Sequence, residues 1–139
     1  DFNHNVLPTL LITQKAITIF RKKRFGRIVT VLSAVLTGNP AVGSSSYIGC
    51  KAYLEKLTKI WAIENSKFNI TSNSVSPSFM QTNMTSKFDD RLVEQMEKGH
   101  PLKKLLTVKE VTDSIQFLIN SNSHLNGVDI LLNAAQNLK

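Results

Sequence analysis

The sequence predicts an α/β fold in which the strands of a parallel sheet alternate with helices. Residues 27–33 are β-branched and almost continuously apolar, as is typical of a strand covered on both faces. Residues 3–22 before this strand and 45–66 after it repeat apolar side chains at helical spacing. Strands that alternate with helices in this way predict parallel pairing through right-handed crossover connections.

The first helix is expected over residues 3–22. Its apolar positions are Val6, Leu7, Leu10, Leu11, Ala16, Ile17 and Phe20. Pro8 falls early, where a helix tolerates proline best, and Gly26 is expected to stop the helix. The basic cluster RKKR at 21–24 lies just before this stop, where cations oppose the negative end of the helix dipole.

The later elements complete the same alternation. A loop at 36–46, rich in Gly, Asn, Pro and Ser, leads from the strand 27–33 into the helix 45–66. Downstream, the sequence predicts a strand at 68–76 that Pro77 ends, a polar loop at 78–88, helices at 89–98 and 108–120, and a last strand at 127–133. Three strands make a small sheet, and 27–33 is the most apolar of them. Because a bare apolar edge invites aggregation, we expect more sheet to lie beside residues 27–33.

The composition narrows the classes of function. Of the 139 residues, 42% are hydrophobic and 19% charged, which fits one globular domain. A single cysteine excludes an internal disulfide, the histidines show no ligand spacing, and no metal site is predicted. No apolar run is long enough to span a membrane, and a cytoplasmic location is expected. The net charge of +7 is mostly scattered, so nucleic-acid binding, which needs a cationic stripe with interleaved aromatics, is not expected.

Tyr47 and Lys51 are the first candidates for chemistry. They are four residues apart on a predicted helix, so both side chains can point into one cleft. A nearby ammonium group stabilises a phenolate, and the pair could exchange a proton with a substrate oxygen. Two unrelated surface side chains would show the same spacing. Ser33 strengthens the functional interpretation, because it ends a predicted parallel strand, where functional groups gather in open α/β sheets.

In this context the chain resembles the C-terminal part of a short-chain dehydrogenase/reductase. The matching features are Asn5 in the first helix, GRIVTVLS ending in Ser33, Tyr47-x-x-x-Lys51, NSVSPSFMQTNM with Pro77 and Thr82, and the late VDILLNAA. The resemblance spans nearly all 139 residues in order. It implies a doubly wound Rossmann-like parallel sheet and hydride transfer to or from NAD(P), interconverting a ketone or 3-oxoacyl group and an alcohol.

The resemblance also implies a role for each matching residue. Tyr47 would be the general acid/base, Lys51 would hold the nicotinamide ribose and lower the pKa of the tyrosine, and Ser33 would orient the substrate carbonyl. Asn5 would support a water in the proton relay. The loop from Pro77 would lie against the nicotinamide, with Ser78, Met80 and Thr82 expected at the cofactor. Either NAD or NADP is expected, with a slight preference for NADPH.

This chain departs from the family pattern in three respects. Ser78 stands where the family usually has glycine, and Ala134-Ala135 replace a usual glycine pair. The six glycines form no phosphate-binding pattern. Residues 1–139 are therefore expected to be the C-terminal catalytic part of one domain whose N-terminal dinucleotide-binding half is absent.

Partners follow from the same resemblance. KKRFGRIVTVLS is similar to the 3-oxoacyl-[acyl-carrier-protein] reductases, so Arg24, with Lys67, is expected to dock an acidic carrier protein. A homodimer or homotetramer is expected through the helices at 3–22 and 45–66, with Trp61 either in the core or at that interface. The alternative is a non-catalytic or truncated remnant of the family that acts as a binding or oligomerisation module.

Overall fold

A computed structural model of the chain describes residues 1–83 and 86–139. Its three strands are β1 (Gly26–Val31), β2 (Ile70–Pro77) and β3 (Asp129–Leu132). They form one parallel sheet in the order β1–β2–β3, with Val29 opposite Asn73 and Ser74 opposite Asp129. The predicted α/β class, with parallel strands joined through helices, is confirmed.

Four α-helices connect or flank these strands. They are α1 (Leu7–Lys23), α2 (Ser45–Asn65), α3 (Asp90–Gly99) and α4 (Val108–Asn120). Each lies within two residues of its predicted limits, apart from the start of the first helix. There, residues Phe2–Val6 form a π-helical turn ahead of α1, and Pro8 sits in the first turn of α1. The predicted helical character from residue 3 is confirmed, but the part before Leu7 is a π-helical turn and not α-helix.

The end of α1 also differs from the prediction. The helix ends at Arg24, which adopts the left-handed conformation with a φ of 55°, two residues before the predicted stop at Gly26. Gly26 is instead the first residue of β1. A Cβ atom at this position would lie 2.2 Å from the ring of Phe20, so glycine is required by close packing and not by the helix end.

The core forms two clusters on opposite faces of the sheet, as the alternation of side chains along a strand requires. On one face, α2 and the turn before α1 pack through Val6, Leu32, Cys50 and Leu54. On the other face, α4 packs against the strands through Val75, Val111 and Leu118. Trp61 is 5% exposed in the chain and Cys50 is buried, so both are core residues.

Strand β1 lies at the edge of this sheet. Within residues 1–83 and 86–139 it pairs with β2 alone, and Val31 is 42% exposed. The predicted exposure of this apolar edge is confirmed for the described chain. No helix among these residues has the length and apolar character that a membrane crossing requires.

Candidate active site

Ser33, Tyr47 and Lys51 lie around the C-terminal end of β1. The Lys51 Nζ donates a hydrogen bond to the carbonyl of Val31, the last residue of β1, at 3.0 Å. The same nitrogen lies 5.8 Å from the centre of the Tyr47 ring. Ser33 follows two residues after Val31. The structure thus brings together three of the four residues predicted to be catalytic.

The core explains this placement. Leu32 and Cys50, the sequence neighbours of Ser33 and Lys51, are buried in one cluster with Val6 and Leu54. Packing of this cluster fixes the strand end and the first turns of α2 relative to each other. The polar neighbours are thereby held at the same end of the sheet, where open α/β sheets place their ligands.

Ser33 is held in a fixed orientation. It is buried, its backbone is extended, and its Oγ accepts a hydrogen bond at 3.3 Å from the backbone N–H of Val35. Ser33 therefore caps a short 3-10 turn, Ala34–Leu36. Because the hydroxyl oxygen accepts this bond, its hydrogen remains able to donate to another oxygen.

Lys51 is half-buried, and burial lowers the pKa of its ammonium group, against a smaller opposing effect of Cys50. The ammonium lies within cation–π distance of the Tyr47 ring. A cation near a phenol favours the phenolate over the phenol. The structure therefore places the Lys51 ammonium beside the Tyr47 ring.

Asn5 is set apart from these residues. It lies half-buried in the π-helical turn, where its Nδ2 donates to the carbonyl of Asp1 at 3.1 Å. Its own carbonyl accepts a bond from Thr9 Oγ1 at 2.9 Å. The next residue, Val6, packs in the cluster beneath the site. π-Helical turns occur frequently at functional sites, but no described bond joins Asn5 to Tyr47 or Lys51.

The loop after β2 carries the residues expected at the cofactor. Pro77 ends β2, and the backbone N–H of Ser78 donates to the carbonyl of Leu132 at 2.9 Å. Met80 pairs with Leu106 in an isolated β-bridge, and Thr82 follows in the same loop. Ser78 does not adopt a positive φ, so the backbone here does not require the glycine usual in the resembled family.

The second departure, at Ala134 and Ala135, has a visible backbone consequence. Both residues adopt left-handed conformations, with φ of 50° and 60°. This region of backbone space favours glycine and is strained for alanine. The chain therefore keeps a glycine-type turn after β3 without the glycines.

A basic cluster surrounds Phe68 at the far end of α1 and α2. The charged groups of Arg21, Arg24 and Lys67 lie 4.8, 5.5 and 5.4 Å from the centre of the Phe68 ring. Arg21 also donates from Nε to Asn65 Oδ1 at 2.8 Å. We call Arg21, Arg24, Lys67 and Phe68 the Phe68 cluster. Arg24 and Lys67 were predicted from the sequence, but the ring and Arg21 were not, because their contact crosses 44 or more residues of chain.

The described residues contain no group of three His, Cys, Asp or Glu side chains that could hold a metal ion.

A family model described as "Enoyl-(Acyl carrier protein) reductase" matches residues 2–134. The chain belongs to the short-chain dehydrogenase/reductase family. Members of this family are oxidoreductases, and the match includes every candidate site residue named above.

Individual relatives agree with this assignment. The chain is 34% identical over 131 residues to the 3-oxoacyl-[acyl-carrier-protein] reductase FabG of Aquifex aeolicus, covering 93% of the chain and 52% of that protein. It is 35% identical over 122 residues to the protein of the same name in Thermotoga maritima, covering 87% of the chain and 49% of the relative. The chain thus spans about half the length of the curated relatives it matches.

A solved structure supports the fold. The crystal structure of a protein provisionally assigned as a gluconate dehydrogenase, from Agrobacterium tumefaciens, superposes with a TM-score of 0.84 at 21% sequence identity. The match covers 94% of this short-chain dehydrogenase/reductase chain and 52% of that structure. The Rossmann-like architecture is therefore shared.

Proposed function

We propose that the protein containing this chain is an NAD(P)-dependent oxidoreductase that interconverts a ketone or 3-oxoacyl group and an alcohol. The observation that carries this proposal is the convergence of Ser33, Tyr47 and Lys51 at the end of β1, within a chain of oxidoreductase family. The names of the relatives favour a 3-oxoacyl substrate.

Each residue at the β1 end has a distinct part in this proposal. Tyr47 donates a proton to the substrate oxygen during reduction, and Lys51 stabilises the phenolate that remains. Ser33, whose hydroxyl can still donate, orients the same oxygen. Asn5 supports a water that resupplies protons. The nicotinamide supplies or accepts the hydride, and the protein contributes orientation and electrostatics.

The residues present fit one end of the cofactor. Lys51, Tyr47 and the Pro77–Thr82 segment would hold the nicotinamide and its ribose, with NADPH slightly preferred over NADH. The pyrophosphate needs backbone N–H groups at a glycine-rich turn opening a helix. The helix after β1, α2, begins at Ser45, and the loop before it does not have the glycine pattern of a phosphate-binding turn. We therefore place the phosphate-binding turn in a further segment whose strand pairs with the free edge of β1.

The basic Phe68 cluster supports an acidic carrier protein as the partner that delivers the substrate. Three cationic groups surround one ring there, and each lies within cation–π distance of it. Complementary charge of this kind mainly raises the association rate and is screened by salt. Arg24 and Lys67 are the proposed contacts, with Arg21 held behind them by Asn65.

Exposed apolar side chains on α1 and α2 support self-association into a homodimer or homotetramer. These residues are Leu11, Ile12, Ile19, Tyr53, Ile60 and Ile63. An apolar surface shared by two neighbouring helices is typical of an interaction site.

The catalytic proposal is tested in the complete protein by substituting the two tyrosines in turn. Tyr47→Phe removes the proposed proton donor, and we expect turnover to fall by about two to four orders of magnitude. Tyr53→Phe is the matched control, because Tyr53 lies on the same helix, is 45% exposed and contacts Phe2. Reduction of a 3-oxoacyl substrate is followed through NAD(P)H absorbance. Near-normal turnover in Tyr47→Phe would reject Tyr47 as the proton donor, whereas no turnover in the unsubstituted complete protein would favour a non-catalytic binding module.

The docking proposal is tested by comparing a carrier-bound substrate with a small soluble analogue. Arg24→Glu is expected to weaken turnover of the carrier-bound substrate alone, and the loss should shrink at high salt. Lys22→Glu, which changes the same charge on α1 outside the Phe68 cluster, is the control. Equal effects on both substrates, or on neither, would reject docking at this cluster.

A further inference from the structure

A cavity of about 300 Å³ lies between the loop after β2, the start of α4 and the end of β3. This volume is at the lower end of the range for small-molecule sites. Its apolar walls come from the leucines Leu102, Leu105, Leu106, Leu131 and Leu132. Ser33, Tyr47 and Lys51 do not line it, and Ser78 is the one candidate cofactor residue among the residues that do.

Two polar groups at this cavity lack partners. Ser78 lines the cavity, and its buried Oγ has no hydrogen-bond partner within residues 1–83 and 86–139. A buried hydroxyl without a partner costs free energy, and such groups are uncommon in native proteins. A ligand atom that bonds Ser78 Oγ would remove this cost.

His100 is the second such group. It is 5% exposed and lines the same cavity. Its Nδ1 accepts a hydrogen bond from the backbone N–H of Leu102 at 3.0 Å, so the ring hydrogen of the neutral form is on Nε2. Nε2 has no hydrogen-bond partner among the described residues. His100 therefore offers a second donor.

The charged residues of the cavity are Lys104 and Glu110. Glu110 is already engaged, because its Oε2 accepts bonds from the backbone N–H and the Oγ1 of Thr107, at 2.8 and 3.0 Å. Lys104 has no ion pair within 4.0 Å in the described chain. Lys104 is thus the charged donor left for a ligand.

We propose that this cavity binds a small aliphatic monocarboxylate. The carboxylate accepts hydrogen bonds from Lys104, His100 and Ser78, and the hydrocarbon chain packs against the five leucines. A chain of roughly six carbons is of a size that a cavity of this volume can hold. This binding does not depend on hydride transfer, so it can be tested separately from the proposed catalytic function.

The test is a titration of the complete protein with hexanoate, followed by NMR of ¹³C-labelled leucine methyl groups. We expect saturable shifts with a Kd on the order of 1 mM, as a ligand of eight heavy atoms allows. Hexylammonium has the same chain with the opposite charge and should give no saturable shift. Absence of saturation with hexanoate, or equal binding of hexylammonium, would overturn the proposal.

Two pairs of variants locate the ligand. Lys104→Gln should weaken hexanoate binding about tenfold, the usual effect of losing a charge-assisted hydrogen bond. Lys103→Gln changes the net charge equally in the same segment, but Lys103 does not line the cavity and donates to Lys98. Equal weakening by both variants would show attraction by net charge alone and would overturn the site.

Ser78→Ala forms the second pair with Ser72→Ala. Ser72 is in β2, the strand that ends just before Ser78. Its Oγ is also buried with no partner among the described residues, but Ser72 does not line the cavity. Hexanoate binding should weaken about threefold in Ser78→Ala, through loss of one neutral hydrogen bond, and stay unchanged in Ser72→Ala. Unchanged binding in both would place the carboxylate elsewhere and contradict the proposed orientation.

Discussion

Strands β1 and β2 have compositions opposite to those that their positions in the sheet would predict, because the edge strand is apolar and the central strand is polar. The edge strand β1, GRIVTV, is rich in β-branched apolar residues, yet Val31 is 42% exposed. The central strand β2, ITSNSVSP, is mostly polar, yet all eight of its residues are buried. Apolar character usually increases towards the centre of a parallel sheet. The two strands therefore reach their stability in different ways.

Hydrogen bonds allow the polar strand β2 to be buried. Asn73 donates from Nδ2 to the Leu125 carbonyl at 2.9 Å, and its Oδ1 accepts from the Val128 N–H at 3.0 Å. On the other face, Ser74 and Ser76 both donate to Asp129 Oδ1, at 2.7 and 2.9 Å. Because buried polar groups cost little once they are paired, β2 needs few apolar side chains.

Strand β1 has the composition of a central strand, but among the described residues it has a neighbouring strand on one side only. Its side chains match those of a strand with neighbours on both sides, and the relatives are about twice as long as this chain. We therefore propose that sheet and active site both continue across the free edge of β1. The comparison teaches that hydrogen bonds allow the burial of β2, whereas the burial of β1 depends on the additional strand that we propose.

The largest expected effect is at Asn73. Asn73→Ala removes both hydrogen bonds and leaves the Leu125 carbonyl and the Val128 N–H without partners. We expect a loss of about 3 kcal/mol in the free energy of unfolding, measured by urea denaturation. Ser72→Ala is the control on the same strand, and it should be neutral because Ser72 Oγ has no hydrogen-bond partner in the part of the chain that the structure describes. Equal effects of the two would contradict the account of β2.

Val29, directly opposite Asn73, tests β1 in the complete protein. If a further strand covers the edge, Val29→Ala should reduce the free energy of unfolding by about 2 kcal/mol, as for a buried side chain. On an open edge, where Val29 is half-buried, the loss should stay below about 1 kcal/mol. The smaller value in the complete protein would argue against the continued sheet.

Asp129 gives the polar network around β2 a pH dependence. Burial opposes its charge, but hydrogen bonds from Lys139, Ser74 and Ser76 outweigh this and lower the pKa of the carboxyl. A lowered pKa in the folded state contributes stability above the unfolded value of about 3.9, and that stability is lost as pH falls through the folded-state pKa. The midpoint temperature of thermal unfolding should therefore decrease when the pH is lowered below about 4.

Asp129→Asn isolates this contribution from that of Glu55, the other carboxylate that Lys139 contacts. The variant should be less stable at pH 7, and its stability should fall less on acidification. The same acid-induced fall in Asp129→Asn and in the natural sequence would show that other carboxylates determine it.

The smallest predicted effect lies after β3. Ala134→Gly and Ala135→Gly relieve left-handed strain of roughly 1–2 kcal/mol each, against a backbone entropy cost of roughly 0.5–1 kcal/mol. We expect each variant to raise the free energy of unfolding by about 0.5 kcal/mol. Lower stability in either variant would show that the surrounding contacts favour this conformation for alanine.

Much of the fold could be predicted from the sequence, because the spacing of apolar residues indicates which face of each helix or strand is buried. The helices 45–66 and 108–120 and the end of β2 at Pro77 were predicted to within one residue. The π-helical turn at Phe2–Val6 was not predicted, because it lies where Val6 packs against Leu32, which is distant in the sequence. The central place of the polar strand β2 could not be seen either, since its partners lie more than 50 residues away.

The candidate site shows the same division. The spacing of Tyr47 and Lys51 on one helix was readable, because it is local. The hydrogen bond from Lys51 to Val31 was not predicted, because the two residues are 20 positions apart. The contacts of Arg21 and Lys67 with the Phe68 ring were not predicted either, because they join two separate elements. The histidines show no ligand spacing in the sequence, and only the position of His100 beside a leucine-lined cavity supports the ligand that we propose.

The measurement that tests the continued sheet and site most directly is a titration of residues 1–139 and of the complete protein with NADH and NADPH, followed by nicotinamide fluorescence. The complete protein should bind saturably in the micromolar range, on the order of 10 µM, as KM values of enzymes typically indicate. Residues 1–139 alone should show no saturable binding and should associate through the free edge of β1. Saturable micromolar binding by a soluble monomer of residues 1–139 would contradict the account, because the chain would then hold the cofactor without a further strand.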